Sequence, residues 1–226
     1  MVEQIPYRIP WAGRLRQVDF SKVPPSVSHR LPSGYAQYVR LFHPFVERSI
    51  NSADRQPVPH GTRWAELAAL AQVGFGPTLT GRQVDAMLPG ENWTECPWCV
   101  WEGELEEATA AALFDLLDDG GLALFAFDLT ASIHGSGQVL FQASSVAERS
   151  EVIDAARAAG PSSATTAEVV WAADERWISV TDYDLSSTYL ALDHDLAERV
   201  LGDEFLETVE VALDTRVDHH ADEQQT

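Results

Sequence analysis

An α+β fold, one domain with a mostly antiparallel sheet covered by helices, is what this sequence predicts, and three observations carry the prediction. Residues 176–183 (RWISVTDY) are rich in β-formers, and a second such run at 188–190 follows once Asp184, Ser186 and Ser187 have interrupted the first. Residues 122–129 are a near-continuous apolar run that reads as a central strand, with Gly135-Ser136-Gly137 turning the chain into a second strand at 138–143. Residues 104–117 carry Leu105, Ala108, Ala112, Leu113, Leu116 and Leu117 at three-four spacing, with acids in the first turn and Gly120-Gly121 at the end. That is an amphipathic helix.

The other elements follow in order. Residues 1–30 are rich in proline and have no helical period, so they read as an irregular arm, with an edge strand at best over 14–20. Leu31-Pro32-Ser33-Gly34 is a turn, and the apolar-aromatic run 35–45 is a strand or a short helix that Pro44 ends. Residues 51–61, with Pro57 and Pro59, form a loop. Thr62 is placed to cap a helix over 63–73, with Trp64, Leu67, Ala68 and Ala71 on one face and Gly74, Gly76 and Pro77 beyond it. A short helix at 82–88 and a strand at 98–101 come next. Ser145 and Glu148 have the spacing of a capping box for a helix over 145–159, which Gly160-Pro161 stops. A polar loop at 162–166, a strand at 168–172 and a helix at 193–201 follow, and 205–213 is a strand or a helix. The chain has no internal repeat and no convincing linker, so 1–217 reads as one domain and 218–226 as a disordered tail.

The formal charge is −20, with Lys22 the only lysine. That balance argues against a nucleic-acid backbone as partner, because binding one needs clustered cations. The charge is uneven: residues 1–62 hold eight basic and four acidic side chains, and the remainder holds seven and thirty-one. A basic arm is thus suited to dock on its own acidic body or on a neighbour's in a homo-oligomer. No apolar run reaches the ~18–20 residues that span a bilayer, and the opening MVEQIPYRIPW is unlike a signal peptide. With two cysteines and no disulfide framework, the expectation is a cytoplasmic protein away from membranes.

Chemistry is sparse. Cys96-Pro97-Trp98-Cys99 has redox or half-zinc spacing, but it leads into a strand and lacks two further ligands, so the cysteines read as ordinary strand residues. Asp182, Asp184, Ser186 and Asp193 imitate a calcium loop without its glycine, and Leu190 occupies a ligand position. The plainer reading is that Asp182 and Asp184 cap a hairpin turn. His29, His43, His60, His134 and His194 are scattered, and none shares a short motif with a nucleophile. No metal and no cofactor is expected. The candidate ligand-binding set is Trp177, Asp182, Tyr183, Asp184 and His194, where aromatic, carboxylate and imidazole groups are densest.

Leu31-Pro32-Ser33-Gly34-Tyr35, then Val39-Arg40-Leu41-Phe42-His43-Pro44, Trp64-Ala65-Glu66-Leu67, Val100-Trp101-Glu102-Gly103 and the 176–191 segment together resemble a bacterial family of unknown function, frequent in high-GC Gram-positive genomes. The chain departs from it at Asp182, at Ala191-Leu192 and at Val170-Trp171. The resemblance implies a coherent fold and no activity. Leu31-Pro32-x-x-Tyr35 and the late strand are similar to SUKH-type domains, which include immunity proteins. Two functions follow as expectations: a non-enzymatic module whose acidic surface meets a basic protein, or an enzyme, small-ligand or metal binder using Asp182 and Asp184. Trp177 itself is expected in the core, against the helix at 104–117.

Overall fold

The run of residues around 176–192 lies in the middle of the sheet in the computed structural model, which describes residues 1–15, 24–47, 63–84, 87, 98–100, 102–127, 138–159, 166–182, 184–218 and 220–221. The strands are β1 (Glu3–Ile5), β2 (Gln37–Phe42), β3 (Val46–Glu47), β4 (Trp98–Cys99), β5 (Ala123–Phe127), β6 (Val139–Ala143), β7 (Val169–Ala172), β8 (Trp177–Thr181), β9 (Ser187–Leu192) and β10 (Thr208–Val211). The helices are α1 (Trp64–Leu70), α2 (Gly81–Val84), α3 (Glu107–Leu117), α4 (Arg149–Ala159) and α5 (His194–Gly202). Eight strands form one antiparallel sheet in the order β1-β6-β5-β7-β8-β9-β2-β10, and the fold is α+β as the sequence predicts. Trp177 faces Leu192 and Thr181 faces Thr188 across the β8–β9 pair.

Every residue of β8 and β9 is buried, because both faces of the sheet are covered. On one face, Leu113, Phe114 and Leu117 of α3, Val152 and Ala156 of α4, and Leu196, Ala197 and Val200 of α5 pack on Val39, Leu41, Phe125, Phe141, Trp177, Leu190 and Leu192. On the other, Trp11 and Val27 from the N-terminal arm, with Leu31 just after it and Val217, cover Tyr38, Trp171, Ile178, Tyr189 and Ala191. Trp11 meets Trp171 edge-on, with ring centroids 6.0 Å apart. The arm is therefore a second covering layer. Arg14 pairs with Glu175, and Arg30 with Asp182 at 2.7 Å, so part of its basic charge docks on the acidic body. A third cluster of Phe42, Phe45, Trp64, Leu67, Ala68, Leu79 and Val84 holds α1 and α2 beside the end of β2.

Several local expectations change. Residues 98–99 form a strand, but it pairs with β3 in a separate two-stranded ladder and does not join the main sheet. Two residues are too few to carry a core face. The runs at 35–45 and 205–213 resolve as strands β2 and β10, and β1 adds an edge strand that alternation in so short a segment does not reveal. Glu106 caps α3 by accepting from the Ala108 and Thr109 amides, so the helix starts later than its acidic lead suggests. Ser145 accepts from the Ala147 amide, but the capping box is not made. Glu148 instead bonds Ser144 and the N-terminal ammonium, which is the stronger, charged donor. Beyond Val217, Asp218 is held by Arg216 and Ala221 is buried, so packing continues into the segment expected to be a tail. The expectations for 16–20, 51–61, Thr62, Cys96, the 135–137 turn, Gly160-Pro161, residues 162–165, Tyr183 and 222–226 lie outside the described residues.

α1 is capped from a distance. Glu207 accepts from the Trp64 and Ala65 amides, each at 3.0 Å, and sits 3.6 Å from Arg63. Burial pushes its carboxyl up, while those amides and Arg63 pull it down and Glu66 pushes it up again. Because the folded pKa is the higher one, the cost of ionising Glu207 is absent below its unfolded pKa and fully present above its folded one. Stability relative to a Glu207→Gln variant is therefore expected to shift in favour of the native chain as pH falls through the carboxylate range, and paired urea titrations measure it.

Candidate functional site

The turn between β8 and β9 is pinned from several sides. Asp182 Oδ1 accepts the Asp184 amide at 3.1 Å, and its carbonyl accepts the Leu185 amide. Its other oxygen holds Arg30. The Leu185 and Ser186 carbonyls accept the amides of Gly103 and His43, and the Leu185 side chain is buried. Behind the turn, Thr188 Oγ1 lies 2.8 Å from Thr181 Oγ1 and 3.0 Å from His43 Nε2. These bonds satisfy polar groups that would otherwise be stranded in a dry strand pair.

Beside this turn lies a cleft bordered by Arg40, Thr80, Asp184, Ser187, Tyr189 and Asp218. Its volume is about 30 Å³, room for roughly two waters or one compact polar group. Arg40 projects from the middle of β2, opposite Tyr189 of β9, and only 6% of it is exposed. Its Nε donates to Ser187 Oγ at 2.9 Å, and its Nη1 donates to the Pro77 and Leu79 carbonyls at 2.9 and 2.8 Å. The guanidinium carbon lies 4.1 Å from the centroid of the Phe42 ring. Burial lowers the Arg40 pKa, with the Tyr189 phenol acting the other way, and burial raises that of Tyr189, with Arg40 acting against it. A guanidinium stays cationic across the physiological range regardless.

No carboxylate pairs with Arg40 among the described residues. Asp182 is taken by Arg30, and Asp218 by Arg216 at 2.6 Å, while Asp184 is exposed at the rim. The cleft therefore offers a buried cation at its wall and a free carboxylate at its edge, a dipolar arrangement suited to orienting a small polar group.

The five residues singled out in the sequence are divided by the hairpin. Asp182 and Asp184 lie at the turn end, and Asp184 borders the cleft. Trp177 starts β8 at the other end, about 16 Å away along a strand, and is buried on the helix face. His194 opens α5 near that end, exposed, with Nε2 3.6 Å from Glu198. Tyr183 lies outside the described residues. Of the residues that border the cleft, Asp184 alone belongs to the sequence-derived set, and Arg40 and Thr80 are among those it omits. The signal for Arg40 was present: one charged side chain inside the apolar run YVRLF. Among the described residues no group of three His, Cys, Asp or Glu is placed to hold a metal ion, and no helix is long and apolar enough to cross a membrane. No protein-family model, no curated protein and no solved structure matches this chain.

Proposed function

We propose that this protein is a binding domain whose recognition site is the cleft beside the β8–β9 turn. The observation that carries the reading is the juxtaposition, in one cleft on a well-pinned turn, of the buried Arg40 and the exposed Asp184. A rigid sheet with a small polar concavity is the arrangement that fixes a ligand's orientation at low entropic cost. The test is a thermal-shift panel of small polar compounds on the native chain and on Ser186→Trp, a bulky change in the turn beside the cleft. Some compound is expected to raise the melting temperature of the native chain, and Ser186→Trp is expected to abolish that rise. A panel with no hit, or hits that Ser186→Trp leaves intact, overturns the reading.

The net charge of −20 favours a second reading, a SUKH-like module that meets a basic protein partner through its acidic surface. That reading expects capture of a basic protein at low salt and its release at high salt. Recovery that ignores salt would count against it.

A further inference from the structure

Resting on the cleft reading above, we propose that the group the cleft takes is an oxyanion, a carboxylate or a phosphate-type group, seated on the guanidinium of Arg40 and the hydroxyl of Thr80. Arg40 spends Nε on Ser187 and Nη1 on two carbonyls, and no acceptor for Nη2 occurs among the described residues. Thr80 borders the same cleft, is 6% exposed, and its hydroxyl has no hydrogen-bond partner there. The Thr80 hydroxyl is a buried polar group without a partner in the lining of the cleft that Arg40 also borders, and such a group costs stability. An oxyanion accepts from both, and its charge offsets that of a cation no carboxylate neutralises.

The fold holds Arg40 in place for this role. Its neighbours Val39 and Leu41 are fully buried in the helix-side core, and the Phe42 ring packs against the guanidinium. The Pro77 and Leu79 carbonyls fix the plane of the fork and leave its remaining edge for a ligand. A volume of about 30 Å³ is room for the head of a small oxyanion at the wall of the cleft. Asp184 at the rim opposes an anion in the mouth, and it attracts any cationic group the same ligand carries.

The probes are sodium acetate, inorganic phosphate and glycine, each titrated against sodium chloride at equal ionic strength, with the Arg40 side-chain ¹H–¹⁵N signals as readout. Saturable shifts of those signals are expected with acetate or phosphate and are absent with chloride. Thr80→Val is the discriminating variant. Its hydroxyl makes no bond among the described residues, so the urea midpoint is expected to hold or rise, while affinity for the anion falls about tenfold, the worth of one charge-assisted hydrogen bond. Asp184→Asn is expected to tighten acetate and phosphate and to weaken glycine, whose ammonium loses its partner. Arg40→Gln removes three structural bonds and is informative only if it folds, which is why Thr80→Val and the native chain carry the test. Arg40 signals that no anion moves, or unchanged affinity in Thr80→Val, overturn the oxyanion assignment. If neutral or cationic compounds from the panel bind and Ser186→Trp blocks them, the cleft reading survives that failure. If Ser186→Trp blocks nothing, both fall.

Discussion

Replacing Trp177 by Ala is expected to remove about 3–5 kcal/mol, a large share of the roughly 5–15 kcal/mol that keeps a domain folded. The indole is 2% exposed and packs with Phe114 of α3 at a centroid distance of 6.3 Å, in the cluster that includes Leu113, Leu117, Leu190 and Leu192. Its truncation leaves a cavity between the sheet and a helix, and neither side can collapse into it without disturbing the other. The ring is held by packing alone, because its Nε1 has no acceptor among the described residues. Trp177→Phe keeps most of the buried area and removes an unpaired donor, so its cost is expected to be about 1–2 kcal/mol. Urea midpoints rank the two variants. A loss below about 1 kcal/mol in Trp177→Ala would defeat the core assignment and return Trp177 to the candidate-site set.

The burial of Trp177 was legible in the sequence because two periodicities agree on it. It starts an alternating strand, and the 104–117 stripe is the longest apolar surface available to a large ring. The helix expected over 193–201 starts within a residue of the observed α5, where Asp193 follows β9 and caps the helix by accepting the Leu196 amide. What stayed hidden depends on partners distant in sequence. The α1 amides are capped by Glu207, more than a hundred residues away, and no local spacing reveals that. The N-terminal arm lacks periodicity because it covers the sheet with separate anchors, Trp11 and Val27, and not with a regular face. The site was half legible. Asp184 reaches the cleft because turn chemistry places it at the exposed end of the hairpin, but Arg40 and Thr80 come from other parts of the chain. Only the fold brings them together.

Trp64→Ala is expected to have a different consequence from Trp177→Ala, although both rings are fully buried. Trp64 packs on Phe42 and Phe45 at centroid distances of 5.1 and 5.0 Å, and its Nε1 donates to the His43 carbonyl at 2.8 Å. The cluster it anchors lies apart from the helix-covered core and is the main attachment of α1. A helix of seven residues has too few internal bonds to persist alone, so its stability is that of its packing and of the Glu207 cap. Losing the ring is therefore expected to free α1 locally while the sheet stays closed. Amide exchange in α1 should quicken about 10²–10³-fold, the factor that corresponds to a loss of about 3–4 kcal/mol from that unit, with β8 and β9 protected as before. Trp64→Phe keeps the packing and strands the His43 carbonyl, so a smaller acceleration is expected, from a cost of about 1–3 kcal/mol. That carbonyl belongs to the residue whose ring meets Thr188, so the His43 imidazole signals should move in both variants. If exchange in β8 and β9 rises together with α1, the two clusters open as one cooperative unit, and the separation argued from their packing is wrong.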